Sequence, residues 1–517
     1  MTRPESTDDV RSPGAEVVVS IRHPRSARTA QDILVDPQRI EVPAADVEAG
    51  WFHGRLPTND TRNVRMLQDS GVIESIEPAF VTLQLAAGVG CAAPTYTPNA
   101  GDDAWSPPGG PSTRLATALV RHGVLDAWNL FSGAGRSAGE GVRVALLDTG
   151  VDPQSTLVST FQGGAAPPRT VAVLDATGTG STPICNHGTR IAGVTAGGLS
   201  AATDPMPYAG IAWGCDLVTV RITDGVVLSP FHITRVVDGL TLALQHDPHV
   251  IMMPFGFATD SPLVRAVIES ISRNTDTVLV AAAGTLVPFV VFPARMPEVV
   301  CATLVQGGTT AADPPRRYPD PADPVESVVA YGPEVDVVAL NVPGDTPTHS
   351  MTGEPLPTTL GGSSLATAII GGIVCLVRSR YPDLDRAGVL SRLFGAGATS
   401  GLPDVGAGVP DAYVACGGSR RLDLRVSRTG LSFGAEAVPD GDPALLDPVW
   451  SDGSTGWTCP VPMSGLVLGI TCTARNRLDG TSITARVGGL TPLRTAWRGL
   501  RTGRGRRPVS LRPRRPG

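Results

Sequence analysis

Six short runs in this chain are apolar along most of their length, and they constrain the fold more than any other feature. They are Val142–Leu147, Leu217–Ile222, Val250–Met253, Val278–Ala283, Val299–Val305 and Val335–Leu340. A strand with one face in water alternates apolar and polar residues, whereas a strand apolar on both faces is covered on both, as in a parallel sheet under helices. Between the runs the period lengthens to that of a helix: Ile233, Val236, Val237, Leu240 and Leu244, then Val264, Val267, Ile268 and Ile271. Alternation of this kind predicts an α/β domain over residues 113–420, a doubly wound and mostly parallel sheet. Aromatic residues make up only 5% of the chain, so its core must be filled by Val, Leu, Ile and Ala. Sites in such sheets collect at the carboxyl ends of strands, and Asp148 follows the first run directly.

The remainder of the 517 residues divides around this domain. Residues 1–84 alternate in Val17-Val18-Val19-Ser20-Ile21 and Val72-Ile73-Glu74-Ser75-Ile76, which predicts a small N-terminal α+β unit. Residues 85–112, rich in Gly, Pro, Ala and Asp, are expected to be a flexible linker. Residues 421–490 are expected to form a small β-rich appendage, because Leu466–Ala474 and Ser482–Val487 flank an Asp479-Gly480 hairpin signal. From Arg494 onward come nine Arg and no acidic residue, so residues 491–517 are expected to be a disordered tail.

All 42 basic residues are Arg, and the net charge is −6, which gives no reason to expect a nucleic-acid or membrane partner. No stretch reaches the roughly 18 apolar residues of a membrane span, and Met1–Asp9 lacks the apolar run of a signal peptide. The eight Cys are scattered without a CxxC pair, which argues against a zinc site. The expectation is a cytoplasmic protein with reduced thiols, no metal and no cofactor.

Three segments carry chemistry, in this order: Leu147-Asp148-Thr149-Gly150, Asn186-His187-Gly188-Thr189 and Gly361-Gly362-Ser363-Ser364-Leu365-Ala366-Thr367. A serine hydroxyl needs a base to take its proton, and the base needs an acid to fix its tautomer and stabilise its cation. Ser364, His187 and Asp148 are the candidates for nucleophile, base and acid. Ser364 opens an apolar helical run, Leu365–Val377, where a backbone N–H and the helix dipole would favour an oxyanion. Each segment alone has a plainer explanation: a strand-end turn, a packed histidine, a Ser helix cap.

Together, residues 113–420 resemble a subtilase, a subtilisin-like serine endopeptidase. The likeness runs through Gly139–Asp152, His187–Gly193, Tyr208–Leu217, Tyr331–Ala339 and Gly362–Thr367. It implies a subtilisin-like fold and a peptide or protein substrate held between two backbone segments, here Pro254-Phe255-Gly256 and Ala282-Ala283-Gly284. Small side chains there would leave the pocket between them open to an apolar residue.

The resemblance also marks departures. Thr285 stands where the family has its oxyanion-hole Asn, which implies reduced activity. Pro254 replaces the usual Ser, Ala368 a Pro, and Arg190 a frequent His. Gly71–Pro78 resembles the closing strand of subtilase propeptides, with a permanently attached accessory domain as the other reading. Subtilases often bind structural calcium, but no EF-hand-type acidic loop is present from which such a site could be read. The alternative function is a catalytically weak or inactive relative that binds peptides or partner proteins.

Overall fold

The computed structural model describes, apart from gaps of one to three residues, residues 117–152, 170–198, 209–307, 329–341, 362–461 and 469–487. It also describes 314–317 and short strands at 17–21, 52–56, 73–78, 104–105, 113–114, 347–349 and 355–357. Most of the proposed linker, all of the Arg-rich tail, and any helix of the N-terminal unit lie outside the described residues. The chain divides into two units, residues 1–416 and 417–517.

The first unit is built on seven strands: β1 Arg143–Asp148, β2 Thr170–Asp175, β3 Asp216–Arg221, β4 Val250–Met253, β5 Val278–Ala282, β6 Val299–Gln306 and β7 Val337–Asn341. They stand in the order β7-β6-β5-β4-β1-β3-β2, and every pairing is parallel. The doubly wound parallel sheet expected from the apolar runs is therefore present. β4, β5 and β7 are buried at every residue. β2 was not among the predicted runs: it is the sheet edge, and its residues are only half-buried or exposed.

Helices α1 Val124–Gly133, α2 His187–Ala196, α3 Ile233–Leu244, α4 Pro262–Asn274, α5 Gly362–Arg380 and α6 Arg386–Gly395 complete the layers. Ser261 caps α4, its hydroxyl accepting from the Val264 N–H with Pro262 just inside the start. One face of α3 and α4 covers the sheet through Val236, Val237, Leu240, Val264, Val267 and Ile268, all fully buried. α5 is long and apolar enough to cross a membrane, but 94% of its most apolar window is buried within the protein. Its Gly371 and Gly372 permit close approach: a Cβ there would lie 2.3 Å from Met252 Sδ and 2.8 Å from Ile211 Cβ. Strands 17–21, 52–56 and 73–78 form a separate antiparallel sheet, whose last strand lies against α4.

A buried histidine ties the ends of this unit together. His122 Nδ1 donates to Pro410 O at 2.8 Å, and Nε2 accepts the Leu340 N–H at 3.0 Å. Both ring nitrogens are engaged by a neutral imidazole, and burial pulls its pKa from 6.5 down to about 4. Between those two values the unfolded chain binds a proton that the folded one refuses. Stability from this residue is thus fully present above pH 6.5 and is lost as pH falls toward 4, by ~3 kcal/mol at most. Melting temperature should decline over that interval more steeply for the wild type than for His122→Gln; parallel curves would refute the assignment.

The second unit is antiparallel. β8 Leu422–Thr429, β9 Ser432–Pro439 and β11 Thr458–Val461 form one sheet; β10 Leu446–Trp450, β12 Ile470–Asn476 and β13 Ser482–Val487 form the other. β12 and β13 pair across the Asp479-Gly480 turn, where Gly480 has φ +73°. Burial alternates along β10, β11 and β12, as expected for strands with one covered face. Their inward residues, Trp450, Cys459, Cys472 and Ala474 among them, share one core.

Candidate active site

Asp148 ends β1 in mid-sheet, between β4 and β3, and is 3% exposed. The chain then turns through Thr149 to Gly150, whose φ of +88° suits a residue without a Cβ. α2 begins at His187, and its second residue presses on that turn. A Cβ on Gly188 would lie 2.2 Å from Gly150 O, so glycine is required for the helix to sit this close. The Gly188 N–H donates to Thr149 Oγ1, and the Asp152 N–H donates to Thr189 Oγ1, both at 3.0 Å. These bonds bring His187 Nδ1 to 2.8 Å from Asp148 Oδ1 and 2.9 Å from Oδ2. A carboxylate can only accept, so the hydrogen is assigned to Nδ1 and the lone pair to Nε2.

Ser364 is the third residue of α5. α5 packs beside α2, where Thr195 Oγ1 donates to Ala368 O at 2.9 Å. The start of α5 is held by a compact hydroxyl network. The Ser363 N–H donates to Thr285 Oγ1, the hydroxyls of Ser363 and Thr285 bond to each other, and the Gly284 N–H donates to Ser363 Oγ, each at 3.0 Å. Gly362, with φ +78°, lets Thr285 approach: a Cβ there would lie 2.6 Å from Thr285 Oγ1. Ser364 Oγ itself donates to Pro254 O at 3.0 Å rather than to His187. Catalytic hydrogen bonds are often not yet formed without substrate, and rotation about one side-chain bond releases this hydroxyl.

Pro254–Gly256 and Ala282–Gly284 continue the neighbouring parallel strands β4 and β5. Phe255, Ala282 and Ala283 are buried, so these segments offer backbone rather than side chains. Val291 packs against both glycines: a Cβ on Gly256 would meet its Cγ2, and one on Gly284 would meet Val287 Cγ2 at 3.0 Å and Val291 Cγ1 at 3.1 Å. Sequence reasoning missed Val291 and the part played by Ser363. The two glycines facing one gap were the available signal for the first.

Arg190, where the family often has His, is 5% exposed, and burial lowers its pKa. Its Nε finds no hydrogen-bond partner among the described residues. No group of three His, Cys, Asp or Glu side chains converges among the described residues as a metal site would require. A cavity of about 540 Å³ near His249 and Arg378 lies by the residues that precede β4 and β5, at the end of these strands opposite to the one that carries Asp148.

Residues 139–394 match the model of the subtilase family. Among curated proteins the chain is similar to the thermostable alkaline protease of Halalkalibacterium halodurans, 28% identical over 270 residues, 52% of this chain and 65% of that protein. It thus spans slightly under two thirds of that relative. It is also similar to mycosin-1 of Mycobacterium tuberculosis, 28% identical over 374 residues, 63% of this chain and 76% of that protein. The crystal structure of MycP1 with its N-terminal propeptide removed aligns at 23% identity and a TM-score of 0.45, covering 59% of this chain and 98% of the other.

Proposed function

Because residues 139–394 belong to the subtilase family, we propose that this chain is a serine endopeptidase working through an acyl-enzyme on Ser364. Ser364 Oγ leaves the Pro254 carbonyl and attacks the substrate carbonyl carbon while His187 Nε2 takes its proton. Asp148 holds the tautomer and balances the imidazolium. Collapse of the tetrahedral intermediate expels the amine, which receives that proton from His187. Water then attacks the acyl carbon, gives a proton to His187, and the second collapse returns the proton to Ser364 Oγ.

The oxyanion is met by the Ser364 N–H, which lies in the first turn of α5 and has no acceptor within its helix. Thr285 supplies the second donor when the hydrogens of its network run one way. Gly284 N–H donates to Ser363 Oγ, Ser363 O–H donates to Thr285 Oγ1, and Thr285 O–H is left for the oxyanion. Peptides or proteins are the substrates, and no step calls on a cofactor.

The single observation that carries this reading is the buried Asp148–His187 pair at the end of β1, beside a helix that opens on Ser364. A second reading, a peptide-binding protein without turnover, draws on the Ser364 hydroxyl bonded to Pro254 O and on Thr285. A fluorophosphonate probe separates them. The folded full-length wild type should be labelled, Ser364→Ala should not, and His187→Ala should label at least ~10³-fold more slowly. A folded wild type that stays unlabelled favours the binding protein.

A further inference from the structure

One face of α5 lies on the turn of residues 211–215 that leads into β3, and two thiols meet in that contact. Gly372 allows the approach: a Cβ there would be 2.8 Å from Ile211 Cβ. Further along the helix, Ser379 Oγ donates to Glu140 O at 2.6 Å, and Arg136 Nη1 donates to Ser379 O at 2.8 Å. Cys375 stands between these contacts on the same helix face, three residues after Gly372 and four before Ser379. The turn carries Cys215 to it. The Cys215 N–H donates to Ala212 O at 3.0 Å, and the Gly214 N–H donates to Ala138 O at 2.6 Å. The thiols of Cys215 and Cys375 are hydrogen-bonded to each other, and both residues are fully buried.

We propose that Cys215 and Cys375 are a disulfide-forming pair. When the chain folds in the presence of a low-molecular-weight disulfide, their thiols close into a bond that fastens the middle of α5 to the foot of β3. One protein thiolate attacks the small disulfide, forming a mixed disulfide and releasing one small thiolate. The second protein thiolate attacks the protein sulfur of that mixed disulfide and releases the other. Two protein thiols are thereby oxidised, one small disulfide is reduced to two thiols, and the two protons pass to those thiols.

The timing follows from the setting. The hydrogen bond from Cys215, together with burial, raises the Cys375 pKa well above the ordinary thiol value. The attacking thiolate is therefore scarce once the core has closed. The bond forms during folding, and the same burial then shields it from reductant, so it is a structural bond rather than a rapid switch. Its partners are far apart in the chain, the case in which a cross-link restricts the unfolded ensemble most.

The test uses the full-length Ser364→Ala chain, so that self-cleavage does not confuse the masses. It is unfolded and reduced, then refolded either with reduced and oxidised glutathione or with dithiothreitol alone. Free thiols are alkylated in denaturant and the peptides mapped by mass. Glutathione should leave Cys215 and Cys375 unalkylated and joined, two hydrogens lighter than the separate peptides, whereas dithiothreitol should leave both alkylated. The cross-linked protein should melt ~5 °C above the reduced one. Cys375→Ala should lose both the cross-link and the dependence of melting on the redox couple.

A folded chain from glutathione with alkyl groups on both Cys215 and Cys375, or with either joined to a different cysteine, overturns the pairing. A Cys215–Cys375 cross-link that leaves the melting temperature unchanged overturns the fastening of α5. If refolding returns no folded protein, the native reduced chain is held with the glutathione couple a few degrees below its melting temperature, where the core opens, and the same map decides. None of these readouts depends on hydrolysis, so a chain without turnover leaves the pairing standing.

Discussion

Asp148→Asn should lower kcat by ~10⁴ while leaving the protein folded. The carboxylate lies 2.8 and 2.9 Å from His187 Nδ1 and is 3% exposed. In that setting it fixes which ring nitrogen carries the hydrogen and faces the positive charge that forms during attack. Asparagine fills the same space, but its amide can donate toward Nδ1, which turns the ring to the tautomer whose Nε2 cannot accept a proton. The Thr149 N–H also bonds to Asp148 Oδ1, so an amide oxygen drawn there leaves the NH₂ facing the imidazole. Initial rates on a peptide substrate, with a melting curve beside them, check this. A folded Asp148→Asn protein retaining a tenth of the activity would mean that the carboxylate is structural.

The second large effect is expected at Thr285. Thr285→Val keeps the side-chain shape and removes the hydroxyl that accepts the Ser363 N–H and bonds to Ser363 Oγ. An unsatisfied, partly buried donor costs about 1–3 kcal/mol, and here the loss falls at the helix start that carries Ser364. Loss of one oxyanion donor is worth ~10²–10³ in kcat where it has been measured in subtilisin; Thr285→Val should lie near the lower end, ~10². Thr285→Ser, which keeps the hydroxyl, should restore most of it. A lower kcat with unchanged KM in Thr285→Val marks a donor acting in the transition state. A falling melting temperature with kcat unchanged would leave Thr285 as a cap for α5 and nothing more.

Much of this arrangement was legible in the sequence, because buried strands and close helix approaches demand particular residues. The apolar runs marked six strands of the parallel sheet, since a strand covered on both faces admits few polar residues. β2 escaped because an edge strand, half in water, carries no such signature. The grouping of Asp148 with His187 was readable through the glycines beside them: Gly188 has to be glycine for the turn after β1 to meet α2. The packing of Val291 against Gly256, and of Val287 and Val291 against Gly284, was not readable. Backbone bonds to Ala283 and Phe257 fold that stretch of chain back, and no local period announces a side chain's destination. The bond from Ser364 to Pro254 O was equally hidden, since any carbonyl can accept a hydroxyl.

The approach of Gly362 to Thr285 has a consequence for how this chain can change over generations. A Cβ at 362 would lie 2.6 Å from Thr285 Oγ1, so position 362 cannot gain a side chain by itself. The constraint runs one way: residue 285 departs from the family pattern beside a family-like Gly362–Thr367 segment, so it varies over an unchanged glycine. An alanine at 362 would displace residue 285 and the start of α5 together, and glycine at 362 is therefore expected to outlast any exchange at 285.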